Sequence, residues 1–175
     1  CFGCPPTAYC EEGATAALPC PEGSYSSTAG LGAAGHCTAG PAGSFCATGS
    51  LNHTLCSPGT VQLLEGQGSC SQCDAGSFMD ASGATECCEC TAGSYCAAGA
   101  SAALPCHEGS YSNTTGLGVA GQCTACPSGS SCSTGSLTPK LCSPGTVQPA
   151  VAQGSCATCA AGKFQHELGE TACFE

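Results

Sequence analysis

The sequence predicts a small disulfide-rich fold: tandem short β-hairpin modules stacked into an elongated rod, with almost no helix. Three observations carry that expectation. Cysteine supplies 21 of the 175 residues, a density that marks disulfide scaffolds rather than ordinary hydrophobic cores. The chain repeats itself with a period of 86 residues. Inside each repeat a short glycine-containing phrase returns after one cysteine and then another.

Composition explains why sulfur must hold such a chain. Aromatic residues are 5% of the sequence, tryptophan is absent, and there are 26 glycines and 11 prolines. Much of the 42% counted as hydrophobic is alanine and cysteine, which bury little area. Burial alone cannot offset the entropy of ordering so many glycines. Charge is sparse and one-sided: Lys140 and Lys163 are the only basic residues, arginine is absent, and the net charge is −10. Phosphate backbones and anionic membranes are held by clusters of Lys and Arg, so nucleic acid is excluded as a partner. Direct membrane insertion of this segment is not expected either, because no apolar run approaches the ~20 residues of a spanning helix.

The repeat sets the domain reading. A shift of 86 places residues 1–86 on 87–172 without a gap, and 51 of the 86 positions are identical. Cys1, Cys4, Cys10, Cys20, Cys37, Cys46, Cys56, Cys70, Cys73 and Cys87 recur as Cys87, Cys90, Cys96, Cys106, Cys123, Cys132, Cys142, Cys156, Cys159 and Cys173. The first copy, 1–86, divides into sub-units 1–36, 37–69 and 70–86. The second, 87–172, divides into 87–122, 123–155 and 156–172, and residues 173–175 open a third.

Within a copy the phrase is a cysteine, two residues, glycine, a small residue, then an aromatic or valine. It reads "CPEGSY" at Cys20, "CSPGTV" at Cys56 and Cys142, "CDAGSF" at Cys73, "CHEGSY" at Cys106 and "CAAGKF" at Cys159. Another cysteine follows 14 or 17 positions after the first. A variant places one six positions on, as in "CPPTAYC", "CTAGSYC" and "CPSGSSC". The glycine permits a positive-φ turn, and the ring of Tyr25, Phe78, Tyr111 or Phe164 is expected over the adjacent disulfide. No stretch has helical periodicity. Each hairpin then leans on its neighbour, as in other quasi-one-dimensional arrays.

Secretion follows from the cysteines together with two N-glycosylation sequons, Asn52-His53-Thr54 and Asn113-Thr114-Thr115. Asn52 and Asn113 are the expected glycan attachment points. Their aligned residues are Thr138 and Ser27, so decoration would not follow the 86-residue period. The sequence starts at Cys1 in mid-pattern and reads as a window cut from a longer secreted chain.

The phrase and its CxxC joints, Cys1/Cys4, Cys70/Cys73, Cys87/Cys90, Cys123/Cys126 and Cys156/Cys159, resemble the ephrin-receptor-like cysteine-rich repeats. More distantly, "CDAGSFMDASGATECCEC" (73–90) is similar to the first short loop of a tumour-necrosis-factor-receptor module. The form "CTAGSYCAAG…LPCHEGSYS" resembles long repetitive surface proteins of unicellular eukaryotes. The resemblance implies Cys73–Cys87 and Cys159–Cys173, and by extension Cys56–Cys70, Cys142–Cys156, Cys20–Cys37 and Cys106–Cys123. The longer units admit three pairings each. The preferred one joins sequence neighbours: Cys4–Cys10, Cys90–Cys96 and Cys126–Cys132. Loops of ~15 residues contribute ~3 kcal/mol each when closed.

Two departures from the period stand out. Gly40 replaces the cysteine found at Cys126, which leaves Cys46 as the orphan. Cys88 stands where the flanking copies carry Phe2 and Phe174. Cys46 and Cys88 either stay unpaired, bond to each other, or form an inter-chain disulfide. Cys1 is expected to pair upstream of residue 1.

Other chemistry fares poorly. Structural zinc needs four ligands in two close pairs, and the CxxC joints instead recur singly along the chain. Thioredoxin-like redox use wants a βαβ context. His36, His53, His107 and His166 align with Gln122, Pro139, Pro21 and Asp80, so no histidine recurs, and the carboxylates form no calcium loop. No catalytic residue, metal site or cofactor is expected, and the only covalent additions are glycans. The expected protein is a non-enzymatic extracellular structural glycoprotein, partnered by copies of itself or by neighbouring repeats, and assembling into a surface filament or appendage. The contending expectation is a receptor or adhesin ectodomain stalk that binds a protein ligand.

Overall fold

A computed structural model describes residues 3–175, so the expectation for Cys1 lies outside the described residues. The chain is a succession of antiparallel two-stranded hairpins, each strand two residues long, with two short 3-10 turns at Ala34–His36 and Ala120–Gln122. It divides into two compact units, Cys1–Cys73 with Met79–Cys88, and Asp74–Phe78 with Glu89–Glu175.

In the first unit β1 (Ala8–Tyr9) pairs with β2 (Leu18–Pro19), and β3 (Ser24–Tyr25) pairs with β4 (Thr38–Ala39). β5 (Ser44–Phe45) then pairs with β6 (Thr54–Leu55), and β7 (Thr60–Val61) with β8 (Ser71–Gln72). The chain continues through β9 (Ser77–Phe78) and β10 (Cys88–Glu89). In the second unit β11 (Ser94–Tyr95) pairs with β12 (Leu104–Pro105), and β13 (Ser110–Tyr111) with β14 (Thr124–Ala125). β15 (Ser130–Ser131) pairs with β16 (Lys140–Leu141), and β17 (Thr146–Val147) with β18 (Ala157–Thr158).

Two-residue strands cannot stand alone in water. What supports them is a ladder of main-chain bonds between successive hairpins. The turn glycine of one hairpin donates to the next: Gly23 N–H to the Cys46 carbonyl at 2.8 Å, Gly43 to Gln62 at 2.7 Å, Gly59 to Met79 at 2.7 Å. Its carbonyl accepts from the first residue of that same neighbour, as Gly40, Cys56 and Cys73 donate to Gly23, Gly43 and Gly59 at 2.9–3.0 Å. A loop glycine then reaches back: Gly66 N–H to the Gly40 carbonyl at 2.8 Å, Gly83 to Cys56 at 2.9 Å. The second unit repeats the scheme, with Gly109 donating to Cys132, Gly129 to Gln148 and Gly145 to Gln165.

The loop carbonyls explain why the turn residue must be glycine. Gly43 has φ +77°, and a Cβ there would also collide with the Gly83 carbonyl, two hairpins on. Gly129 (φ +73°) stands in the same relation to the Gly169 carbonyl. Each loop therefore bonds one hairpin back and seats its carbonyl two hairpins back. The small residue after the glycine has its own reason. Its hydroxyl donates to the carbonyl three residues earlier, as Ser24 to Pro21, Ser44 to Pro41, Thr60 to Ser57, Ser110 to His107 and Thr146 to Ser143, at 2.6–2.8 Å. A serine or threonine closes the turn and leaves no buried donor unpaired.

The core is sulfur. The most deeply buried side chains are Cys20, Cys46, Cys56, Cys73, Cys90, Cys96, Cys106, Cys126, Cys132 and Cys142, with Ser44 and Ser130 among them. Tyr25, Phe78 and Tyr111 are only half-buried, and Phe164 is exposed. Two rings meet histidines: Tyr25 contacts His53 edge-on at 5.5 Å, and Tyr95 stacks on His107 at 6.2 Å.

Candidate functional site

The chemistry-bearing residues are the cysteines, and the hairpins position them. Each cysteine that opens a phrase sits just before a turn, and hairpin closure brings its partner to a Cα–Cα separation of 5.7–6.0 Å, inside the range a disulfide spans without backbone movement. Nine bonds result. They are Cys4–Cys10, Cys20–Cys37, Cys56–Cys70, Cys73–Cys87 and Cys90–Cys96, then Cys106–Cys123, Cys126–Cys132, Cys142–Cys156 and Cys159–Cys173. Each pair implied by the resemblance is joined in the structure.

Cys46 and Cys88 carry free thiols and are not bonded to each other. They sit in opposite surroundings. Cys46 is 1% exposed, and burial pushes its thiol above the ordinary value of 9.0, because the low-dielectric interior disfavours the thiolate. A Cβ built at Gly40 would stand 2.8 Å from Cys46 Sγ, which is the neighbourhood of a bonded partner. Cys88, at the start of β10, is exposed. Of the two, only Cys88 can meet a second chain without unfolding a hairpin.

The glycan candidates are both accessible. Asn52 and Asn113 are exposed, and each lies outside the strands. Beside Asn113, Ser112 Oγ accepts from Thr114 N–H at 3.1 Å and fixes the loop. Thr54 of the other sequon lies in β6, opposite Phe45.

The histidines and carboxylates stay dispersed. His166 approaches Glu167 at 3.8 Å, with both side chains largely exposed. Among the described residues no three or more His, Cys, Asp or Glu side chains converge as a metal site. Two concavities among the described residues open to solvent. One is lined by Gly3, Pro5, Cys10, Glu11 and Ala14, another by Ser131, Lys140, Cys142 and Ser155. No helix is long and apolar enough to cross a membrane among the described residues. A disulfide density of this kind is typical of extracellular proteins.

Sequence reasoning passed over three glutamine staples, of which Gln165 Nε2 donating to the Ala172 carbonyl at 2.8 Å is the one without an aligned glutamine. Gln62 Nε2 donates to the Ser69 carbonyl at 2.8 Å, and Gln148 Nε2 to Ser155 at 2.7 Å, each closing a 14-residue disulfide loop from within. The signal was available, since Gln62 and Gln148 are identical at aligned positions. No family model matches the chain, and no curated protein matches it.

Proposed function

We propose that this chain is a repeat segment of an extracellular structural glycoprotein, related to the ephrin-receptor-like cysteine-rich repeats, that forms a disulfide-laddered rod and self-assembles into a surface filament or appendage. The observation that supports it is the preservation of one bonding scheme at an interval of 86 residues. Gly43 N–H bonds Gln62 as Gly129 bonds Gln148, and Cys46 N–H bonds Gln67 as Cys132 bonds Gln153. Hairpins held in one register present like surfaces at regular intervals, which ordered assembly requires. The glycans on Asn52 and Asn113 would project from loops and keep the sides soluble.

Electron microscopy of the native material tests this reading. Ordered fibres with an axial repeat that matches the 86-residue interval are the expected result. Isolated flexible stalks on a membrane-anchored parent would replace it with the ectodomain reading. Intact mass before and after deglycosylation is expected to show glycan mass at both asparagines.

A further inference from the structure

We propose that the loop Leu63-Leu64-Glu65 of one copy docks in the concavity beside Lys140 of a second copy. This rests on the self-assembly reading above and names a contact through which copies meet.

The loop is an apolar knob held in place. Leu63 is the most exposed large apolar side chain among the described residues, at 68%, and its neighbour Leu64 is 60% exposed. The backbone beneath them is pinned. Gln62 Oε1 accepts from Leu64 N–H at 3.1 Å, and Gln67 Nε2 donates to the Glu65 carbonyl at 3.1 Å. Gly66 N–H anchors the loop to the Gly40 carbonyl at 2.8 Å. A loop ordered before it meets a partner loses little freedom on docking. The second repeat keeps these bonds and changes what they display. Ala150 N–H bonds Gln148 Oε1 and Gln153 Nε2 bonds the Val151 carbonyl, both at 3.1 Å, but Pro149, Ala150 and Val151 stand where the first repeat has Leu63, Leu64 and Glu65. The loop's fold therefore does not require the leucines, and adjacent exposed apolar side chains on a rigid turn mark a contact surface.

The socket lies where the second repeat loses a ring. Phe45 of β5 pairs with Thr54 of β6, whereas at the aligned positions Ser131 of β15 pairs with Lys140 of β16. At that place a concavity of about 280 Å³ is lined by Ser131, Lys140, Leu141, Ser143, Thr146 and Ser155. Leu141, 54% exposed, gives it an apolar wall. Lys140 is exposed and forms no ion pair among the described residues. Glu108 lies against Gly154 at the rim, short of ion-pair distance from Lys140.

Charge complementarity selects the occupant. In a chain with twelve carboxylates and two lysines, Lys140 is a cation without a partner, and Glu65 is an exposed carboxylate without one among the described residues. Docking sets Glu65 against Lys140 and the two leucines against Leu141. Neither half recurs at 86 residues, since Thr54 aligns with Lys140 and Val151 with Glu65. Knob and socket are thus different surfaces of one chain, which makes the contact heterologous and leaves each docked copy a free half for the next. Two leucines and one ion pair make a small interface, weak singly and strengthened by repetition.

Sedimentation velocity of the oxidised chain, with Cys88 alkylated so that no inter-chain disulfide contributes, tests the contact at concentrations up to about 1 mM. The expected sedimentation coefficient rises with concentration and falls back as salt is raised. Glu65→Lys and Lys140→Glu are each expected to weaken association about tenfold, and the two combined in one chain to restore it to within about twofold. Leu63→Ser with Leu64→Ser is expected to weaken it at least about a hundredfold. All four positions are exposed, so the variants should fold, which intact mass and the denaturant midpoint check. A chain that stays monomeric throughout, association that survives the leucine change, or charge variants that the combined swap does not rescue overturns the inference. Native fibres that persist unaltered in the Leu63→Ser, Leu64→Ser material also overturn it while leaving the assembly reading intact. Association with the expected charge and leucine dependence, without fibres in native material, upholds the contact and removes the filament.

Discussion

Two regions of the molecule differ by one sulfur atom's worth of chemistry. In the second unit Cys126 bonds Cys132, while in the first unit Gly40 faces the thiol of Cys46 across the same turn. The main chain takes little notice. Cys46 N–H bonds the Gln67 carbonyl and Cys132 N–H the Gln153 carbonyl, both at 3.0 Å. Gly23 and Gly109 donate to the Cys46 and Cys132 carbonyls, both at 2.8 Å. The turn-closing serine is buried in both. The hairpin's shape is therefore set by its bonds to the hairpins on either side, and the disulfide locks a geometry that the ladder has already chosen. Cross-links matter in sum because they restrict the unfolded chain, but a single rung can lose one and keep its form.

That comparison is most sharply tested by thiol reactivity. Cys88 should react with iodoacetamide at the rate of an open thiol, while Cys46 should be at least about a hundredfold slower, because its hairpin must open first. Burial holds the folded-state value of Cys46 above that of the unfolded chain, so the native state binds its proton more tightly. The resulting stability is fully present below about pH 9 and is lost as pH rises through the folded value. Peptide mapping after timed alkylation at pH 8 measures both rates. Equal labelling of the two would mean that the Gly40 rung is already open.

Next in size are the substitutions that interchange the two rungs. Cys126→Gly should cost about 2 kcal/mol, the value for closing a loop of this length, and should leave Cys132 as a second buried, unreactive thiol. Gly40→Cys should return a similar amount and remove Cys46 from the titratable thiols, with an intact mass lower by two hydrogens than that of the reduced variant. Denaturant midpoints compared at constant m-value read both. If Gly40→Cys leaves two thiols near position 46, the first-unit rung lacks the geometry its partner has.

The hairpin array was legible because its signals are covalent and local. A cysteine, then a glycine three residues on, specifies a turn wherever it occurs, and an 86-residue shift shows that the specification repeats. The rest depended on contacts between hairpins, which no local phrase encodes. Gly129 reads as a turn residue, but its second duty, shared with Gly43, of making room for a carbonyl two hairpins away appears only once the hairpins are stacked. The contacts of Tyr25 with His53 and of Tyr95 with His107 are of the same kind, since they join residues of different loops. That Cys46 and Cys88 fall outside the regular pairing was legible from the broken period; that they are not joined to each other was not. That one is buried and one exposed was not, because burial at Cys46 comes from the flanking hairpins.

The smallest predicted effect concerns the loop residue that reaches back to these same rungs. In the first unit it is Gly66, with φ +67°, donating to the Gly40 carbonyl at 2.8 Å. In the second it is Ala152, held at φ +57° and donating to the Cys126 carbonyl at 2.7 Å. The left-handed region costs an L-residue about 1 kcal/mol and costs glycine almost nothing beyond its greater freedom when unfolded. The second unit thus keeps its disulfide with a strained loop residue, and the first lacks the disulfide but has a relaxed one. Ala152→Gly should gain up to about 1 kcal/mol, and Gly66→Ala should lose a comparable amount. The Gly66→Ala loss should be concentrated in the hairpin that has no disulfide to hold it. Amide exchange resolves the two rungs separately: Gly66→Ala should speed exchange at Cys46 and Gly66, while Ala152→Gly should slow it at Cys132 and residue 152. Equal and uniform changes along the chain would show instead that the rungs open as one cooperative body, and that the missing sulfur at Gly40 leaves no local weakness.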